Sequence, residues 1–354
     1  MPSYIRRTAL LIGSLIALST LAVQAVAANS PGADLANAKP LTKAALAPGS
    51  DPSVLPGAIL IADEGNGRMV VVDPQGQVRW RFPQKGDLKK GQIFRVPDDV
   101  FFSPDGKSII ATESENQMVS IIDIATRKIT FQYGYSMRES SKKNYLANPD
   151  DAIMLKDGRL LIADIKNCRL LFINPKTRAT TQLGKSGRCV HNPPKTFGSP
   201  NGAFPMKDGR YLITEINGDW VDAMTLDGTV SWSVHAPGVK YPSDTSEVSP
   251  GVYLTVDFSK PGQLVKFNDK GKLLWRYRPS GKNALDHTSL AHALPNGDII
   301  ATDDRNNRVI VVDPKTNKIV WQYGKYRVAG TKAGYLSNPD GLDVLPPNNL
   351  LSTN

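Results

Sequence analysis

Cysteine and histidine are scarce in this chain, at two and four residues among 354. Two cysteines exclude a disulfide scaffold and cannot build a zinc site alone. Aromatic residues make up only 7%, and no stacking-aromatic motif accompanies the basic segments, so nucleic acid is not an expected partner. Long apolar runs are missing after the N-terminus, which argues against stable membrane insertion. Acids are the minority charge, with 33 Asp+Glu against 43 Lys+Arg and a net charge of +10. Glycine and proline, by contrast, number 29 and 26, a heavy load of turn residues. A hydrophobic content of 40% is ample for a core and excludes a disordered chain.

Arg6 and Arg7 precede an apolar run from Thr8 to Val23, followed by the small residues Ala25-Val26-Ala27. The run is short and is broken by Gly13 and Ser14, so residues 1–27 read as a secretory signal peptide rather than a membrane anchor. Residues 28–56 are rich in Ala, Pro, Ser and Gly with no sustained period, and read as a flexible leader. The expected location is therefore exported, either periplasmic or extracellular.

Residues 57–349 repeat one unit. A β-rich run ends in an acid at Asp63, Glu113, Asp164, Glu215, Asp257 and Asp303, with spacings of 50, 51, 51, 42 and 46. A second column lies upstream of each acid: Pro97-Asp98-Asp99, Pro149-Asp150-Asp151, Pro200-Asn201-Gly202, Pro242-Ser243-Asp244 and Thr288-Ser289-Leu290, with Pro339-Asp340-Gly341 as the last copy. Tight turns such as Pro104-Asp105-Gly106 and Lys156-Asp157-Gly158 separate the columns. After the acid come a polar loop, a strand, another turn and a last strand with an aromatic at Trp80, Phe131, Trp232, Trp275 or Trp321. Four antiparallel strands, a to d, make the blade of a β-propeller. The first copy lacks strand a and the last copy has only strand a. The economical arrangement is all-β, a six-bladed ring closed by the C-terminal strand completing blade one, with 350–354 as a short tail.

In such a blade the d–a and b–c loops share one face, and the long connections are all d–a. Function is expected on that elaborated face. Cys168 lies in a b–c loop and Cys189 in the next d–a loop, so an exported protein is expected to join them as a disulfide. The same face collects Lys85, Lys89, Lys90, Arg138, Lys142, Lys143, Lys185, Arg188, Lys195, Lys240, Lys282, Lys325, Arg327 and Lys332. This rim would steer an anionic small molecule, polymer or protein, with Arg188 and Arg327 among the candidate ligand contacts.

Inside the rim, Asp98, Asp150, Asn201, Ser243, Ser289 and Asp340 start the inner strands and form a polar ring at the channel mouth. Either they bind a ligand, with a divalent cation such as calcium as the hard ion that oxygen ligands favour, or they satisfy backbone amides at the strand starts. The six acids ending strand b read as structural, bracing the b–c loop through Asn and Arg such as Asn167/Arg169 and Asn307/Arg308. His191, His235, His287 and His292 lie on or near the elaborated face and are the candidate catalytic groups. His287 and His292 are five apart, on opposite sides of a strand.

The unit Leu160-Leu161-Ile162-Ala163-Asp164-Ile165-Lys166-Asn167-Cys168-Arg169-Leu170 resembles NHL repeats. The run Ile319-Val320-Trp321-Gln322-Tyr323-Gly324 is similar to the outer-strand motif of PQQ-like and arylsulfotransferase-type propellers. The resemblance covers 57–349 and implies the fold; the full PQQ-site pattern is not recognisable, so that cofactor is not expected. Relatives of this shape include binding modules, lyases, lactonases and sulfotransferases. Two functions follow as expectations. One is a monomeric propeller binding a ligand or partner through its basic loop face. The other is a channel-mouth enzyme, a metal-assisted lyase or hydrolase or a histidine-dependent sulfo- or acyltransferase.

Overall fold

Twenty-four strands form six four-stranded antiparallel sheets in a ring, seen in a computed structural model that describes Leu35 and residues 38–345. The expected signal peptide 1–27, the first part of the leader, residues 346–349 and the tail 350–354 lie outside the described residues. The protein is an all-β six-bladed propeller.

Blade one pairs the C-terminal strand Pro339–Val344 with Ile59–Asp63, Arg68–Val72 and Val78–Phe82. Ile59 faces Val344 and Ile61 faces Leu342, so Pro339–Val344, the last strand among the described residues, closes the ring. Blades two to six run in simple order, with inner strands Val100–Phe102, Pro149–Met154, Pro200–Pro205, Pro242–Ser249 and Ala291–Ala293.

Strand b is buried along its whole length in blades one, three and six. Both faces of each sheet are covered by neighbouring blades, which is why Leu, Ile and Ala occupy successive positions there without alternating with polar residues. The outer strands alternate instead: Val78–Phe82 and Lys128–Gly134 bury every second residue. In blades one, two, five and six their aromatics clamp the blade to the c–d turn of the next. Arg178 lies over Phe131 at 5.1 Å, and Trp275 Nε1 donates to Asn317 Oδ1 at 3.0 Å. Trp321 Nε1 donates to Pro74 O at 2.9 Å, carrying the same contact across the closure.

Part of the expected flexible leader is docked. Leu41 N donates to Val78 O at 2.8 Å on the outer strand of blade one, and Asp51 N donates to Val320 O at 2.8 Å on the outer strand of blade six. Leu55 is buried in the core. The segment thus straps the two blades that meet at the seam. Its lack of hydrophobic period is no obstacle, because backbone N–H groups supply these bonds.

Candidate functional site: the central channel

The acid ending strand b fixes where each inner strand begins. Its carboxylate accepts a backbone N–H from the end of the d–a loop. Ser337 N reaches Asp63 Oδ1 at 2.7 Å, Ala147 N reaches Asp164 Oδ1 at 2.7 Å and Asp286 N reaches Asp303 Oδ1 at 2.8 Å. Arg95 N reaches Glu113 Oε2 at 2.9 Å, Gly198 N reaches Glu215 Oε2 at 2.6 Å and Tyr241 N reaches Asp257 Oδ1 at 3.1 Å. In three blades an Arg neutralises the acid: Arg68, Arg169 and Arg308 donate through Nε at 2.6, 2.8 and 2.6 Å. The amide partner in blade six is Asn306, not Asn307; Asn307 instead accepts from Asn338 N. Asn306 closes its 3-10 turn as Asn167 does in blade three, and Asn307 follows in the left-handed region at φ 58° where blade three has Cys168.

Held this way, the inner-strand starts converge. Asp98, Asp150, Asn201, Ser243, Ser289 and Asp340 all line one cavity of about 270 Å³ at the channel mouth, together with Glu64, Tyr241, Phe258 and Arg305. Asn201 Nδ2 donates to Asp150 and to Ser243 Oγ, the latter at 3.0 Å, bridging three blades. Ser289 Oγ donates to Asp304.

A second, deeper ring was hidden in the same motifs. Asp99, Asp151 and Asp244 are fully buried and bring their oxygens within 4.8 Å of one another. Strict strand alternation would send each to the face opposite its neighbour. The inner strands instead slip register here, between Pro149 and Ala152 and between Pro242 and Thr245, and such bulges turn successive side chains to one side. The corresponding positions in blades four and one are Gly202 and Gly341. A Cβ at either would overlap a carboxylate, Asp244 in the first case and Asp99 in the second. The Pro-Asn-Gly and Pro-Asp-Gly variants of the motif were the available signal.

The electrostatics of this channel are unbalanced. Burial, then mutual repulsion, raises Asp98, Asp99, Asp150 and Asp244 well above the usual carboxylate range. Burial pushes Asp151 up to about 7, and burial with the Asp340 charge pushes Glu64 up to about 8. Among the described residues no donor reaches Asp99 Oδ1, and Asp244 has only the Asp151 carboxyl beside its two oxygens. Buried acceptors in this state are relieved by protons or by a bound cation. Three overlapping acid groups have the spacing to hold one: Asp99/Asp151/Asp244, Asp98/Asp99/Asp150 and Glu64/Asp98/Asp340.

The four histidines do not converge. His292 is buried in the channel wall, edge-on to Phe204 at 5.6 Å, and burial pushes its pKa down to about 4. His287 sits beside the mouth, with Nδ1 2.7 Å from Asp286 Oδ1 and its ring edge-on to Phe258. His191 and His235 pack on opposite faces of Trp220 in blade four, at 4.1 and 3.7 Å. Arg188 and Arg327 are exposed on their d–a loops and do not line the cavity. Cys168 and Cys189 form the disulfide, with 5.0 Å between their Cα atoms.

The family PQQ_2, described as outer membrane protein assembly factor BamB, matches residues 180–334. That stretch runs from the outer strand of blade three to the loop before the closing strand. No curated protein matches the sequence. Among solved structures, the chain is similar to a protein of unknown function from Bacteroides caccae, at 16% identity and a TM-score of 0.56, covering 81% of this chain and 98% of that one. A chain of a nidogen/laminin complex matches at 13% identity and TM-score 0.55, with coverage of 81% and 98%. Dihydro-heme d1 dehydrogenase NirN matches at 13% identity and TM-score 0.50, covering 89% of this chain and 81% of that one. The family match covers less than half of the chain, so what holds for the whole protein is the six-bladed propeller fold, with a stretch similar to the PQQ_2 family over residues 180–334. At these identities the structural likeness speaks for the fold alone.

Proposed function

We propose that the protein is an exported binding propeller that holds a hard divalent cation, calcium in the first instance, in its channel and binds an anionic ligand at the mouth. One observation carries this reading: the buried ring of Asp99, Asp151 and Asp244, with unpartnered oxygens and two glycines leaving them room. Calcium takes about 6–8 oxygen ligands from flexible carboxylates, and an acid-only ring suits it better than imidazole-seeking metals. Arg305, which lines the mouth, would attract carboxylate, sulfate or phosphate groups. The exposed lysines and arginines of the d–a loops would add steering at long range. Export is supported by the Arg6–Ala27 sequence pattern and by the disulfide.

The test is calorimetric titration of calcium into chelator-treated protein. Saturable binding and a raised melting temperature are expected, both lost in the combined Asp99→Asn, Asp151→Asn variant. Absence of binding and of stabilisation in the unmodified protein overturns the reading.

A second reading, metal-assisted hydrolysis or elimination, is favoured by His287. Asp286 orients its imidazole from one side, and Phe258, which packs against it, lines the mouth. The free ring nitrogen would serve as general base beside the cation. Turnover of an ester, lactone or sulfate ester that disappears in His287→Ala, with calcium binding unchanged, would favour this reading over simple binding.

A further inference from the structure

Blade four departs from the brace used elsewhere. In blade two the acid ending strand b, Glu113, receives Asn116 Nδ2 at 2.8 Å and Ser120 Oγ at 2.7 Å. Blades one, three and six use Asn and Arg. In blade four the loop reads Asn217-Gly218-Asp219 and strand c carries Asp222 where blade two has Ser120. A donor has been replaced by a second acid. The side chains of Glu215 and Asp222 are 0% exposed. Among the described residues no donor reaches Glu215 Oε1, and Asp222 has only the Ser233 hydroxyl and Glu215 itself in hydrogen-bond contact. Such a pair, with no Arg to offset it, is costly unless something positive joins it.

A third ligand-type group is held over this pair. His191 Nδ1 lies 3.1 Å from Glu215 Oε2 and 3.9 Å from Asp222 Oδ2. Its ring is stacked on Trp220 at an interplanar angle of 8°. The loop that carries it is fastened on both sides: Cys189 is joined to Cys168, Asn217 Nδ2 donates to Cys189 O at 3.1 Å, and Thr196 Oγ1 donates to Val190 O at 2.7 Å. His191 keeps 20% of its side chain exposed, so the group opens to solvent on one side.

We propose that His191, Glu215 and Asp222 form a binding site for a first-row divalent transition ion, zinc in the first instance, with a coordination position left open to water. The ligand oxygens and nitrogen all lie within 4.8 Å of one another. Zinc with nitrogen and oxygen ligands at about 2.0–2.1 Å in a tetrahedron has ligand–ligand edges of about 3.3 Å, and the two histidine distances above straddle that value. The imidazole separates this site from the all-oxygen channel, because nitrogen donors favour zinc, copper or iron over calcium. Three protein ligands with an open position make a site able to exchange water for a small anion. The disulfide then acquires a second role, holding the histidine loop at ligand distance.

The test uses the whole mature protein, stripped with chelator and dialysed against zinc in the presence of excess calcium, which occupies the channel. One retained zinc per chain is expected, with at least tenfold weaker retention in His191→Ala. Asp222→Ser gives Glu215 the hydroxyl donor that Glu113 already has, so this variant should fold as stably as the parent and lose zinc. Cobalt(II) is the second probe: its paramagnetism should quench Trp220 fluorescence in the parent and not in His191→Ala. Failure of the parent to retain zinc, or retention unchanged in His191→Ala or Asp222→Ser, overturns the proposal. Asp99→Asn separates the two sites, since it should weaken calcium binding and leave zinc in place.

Discussion

Gly202 leaves a gap that the Asp244 carboxylate occupies; a methyl group on residue 202 would overlap Asp244 Oδ1 and approach Asp151 Oδ2. The glycine belongs to blade four and the aspartates to blades three and five, so one missing side chain lets two neighbours meet across it. Gly202→Ala should therefore push Asp244 aside. Calcium affinity should fall about tenfold or more, with about 1–3 kcal/mol of stability lost to the forced fit. Titration calorimetry and urea denaturation measure the two effects separately. An unchanged calcium affinity would show that Asp244 does not contribute to binding.

The channel acids also set a direction for pH dependence. The folded pKa of Asp151, at about 7, is above its ordinary 3.8, and that of Glu64, at about 8, is above 4.5. Between those limits the fold retains protons that the unfolded chain has released, so stability declines as pH rises from about 4 to about 8. In chelator, the melting temperature should fall across this range. Calcium should flatten or invert the trend, because it binds the deprotonated ring. Thermal scans at several pH values, with and without calcium, decide this; a chelated protein that gains stability toward pH 8 contradicts it.

Arg169 and Arg159 make a matched pair of tests. Both donate to an aspartate, but the Arg169–Asp164 pair is buried while Arg159 and Asp157 are 40% and 52% exposed. Arg169→Ala leaves Asp164 without its counter-charge and should cost about 3–5 kcal/mol. Arg159→Ala should cost about 0–1 kcal/mol. Chemical denaturation gives both numbers under identical conditions.

Reduction of the disulfide should lower stability by about 2–4 kcal/mol, given the 21-residue separation of Cys168 and Cys189. Melting with and without reductant provides the measurement, and non-reducing peptide mapping verifies the link. The loss should be mostly local to the 185–199 loop, so hydrogen exchange should rise there before it rises in the strands.

Much of this architecture is legible in the residues themselves. The six acids and the upstream Pro-Asp columns give blade number, strand order and closure, because each column is repeated six times and one misreading cannot shift it. The upper polar ring is legible for the same reason. Asp99, Asp151 and Asp244 sit beside that ring in the quoted motifs, yet alternation assigns them to the wrong face; the register slips at Pro149–Ala152 and Pro242–Thr245 turn Asp151 and Asp244 inward. The blade-four cluster is harder still. His191 comes from a long loop with no repeat counterpart, and its approach to Glu215 depends on a disulfide and on the stack with Trp220. The docked leader carries no side-chain pattern at all, since Leu41, Ala47 and Asp51 attach through the main chain.

The closing strand has a consequence for when this molecule becomes functional. Ser337 and Asp63 are bonded across 274 residues of chain, so the seam of blade one forms among the slowest, least local contacts in the fold. Asp340, on that same strand, completes the mouth of the channel. A chain still emerging N-terminus first has five whole blades and an unfinished ring of oxygens. Assembly of the mouth therefore waits for the strand Pro339–Val344, and a chain without that strand lacks Asp340 and leaves the ring open at blade one.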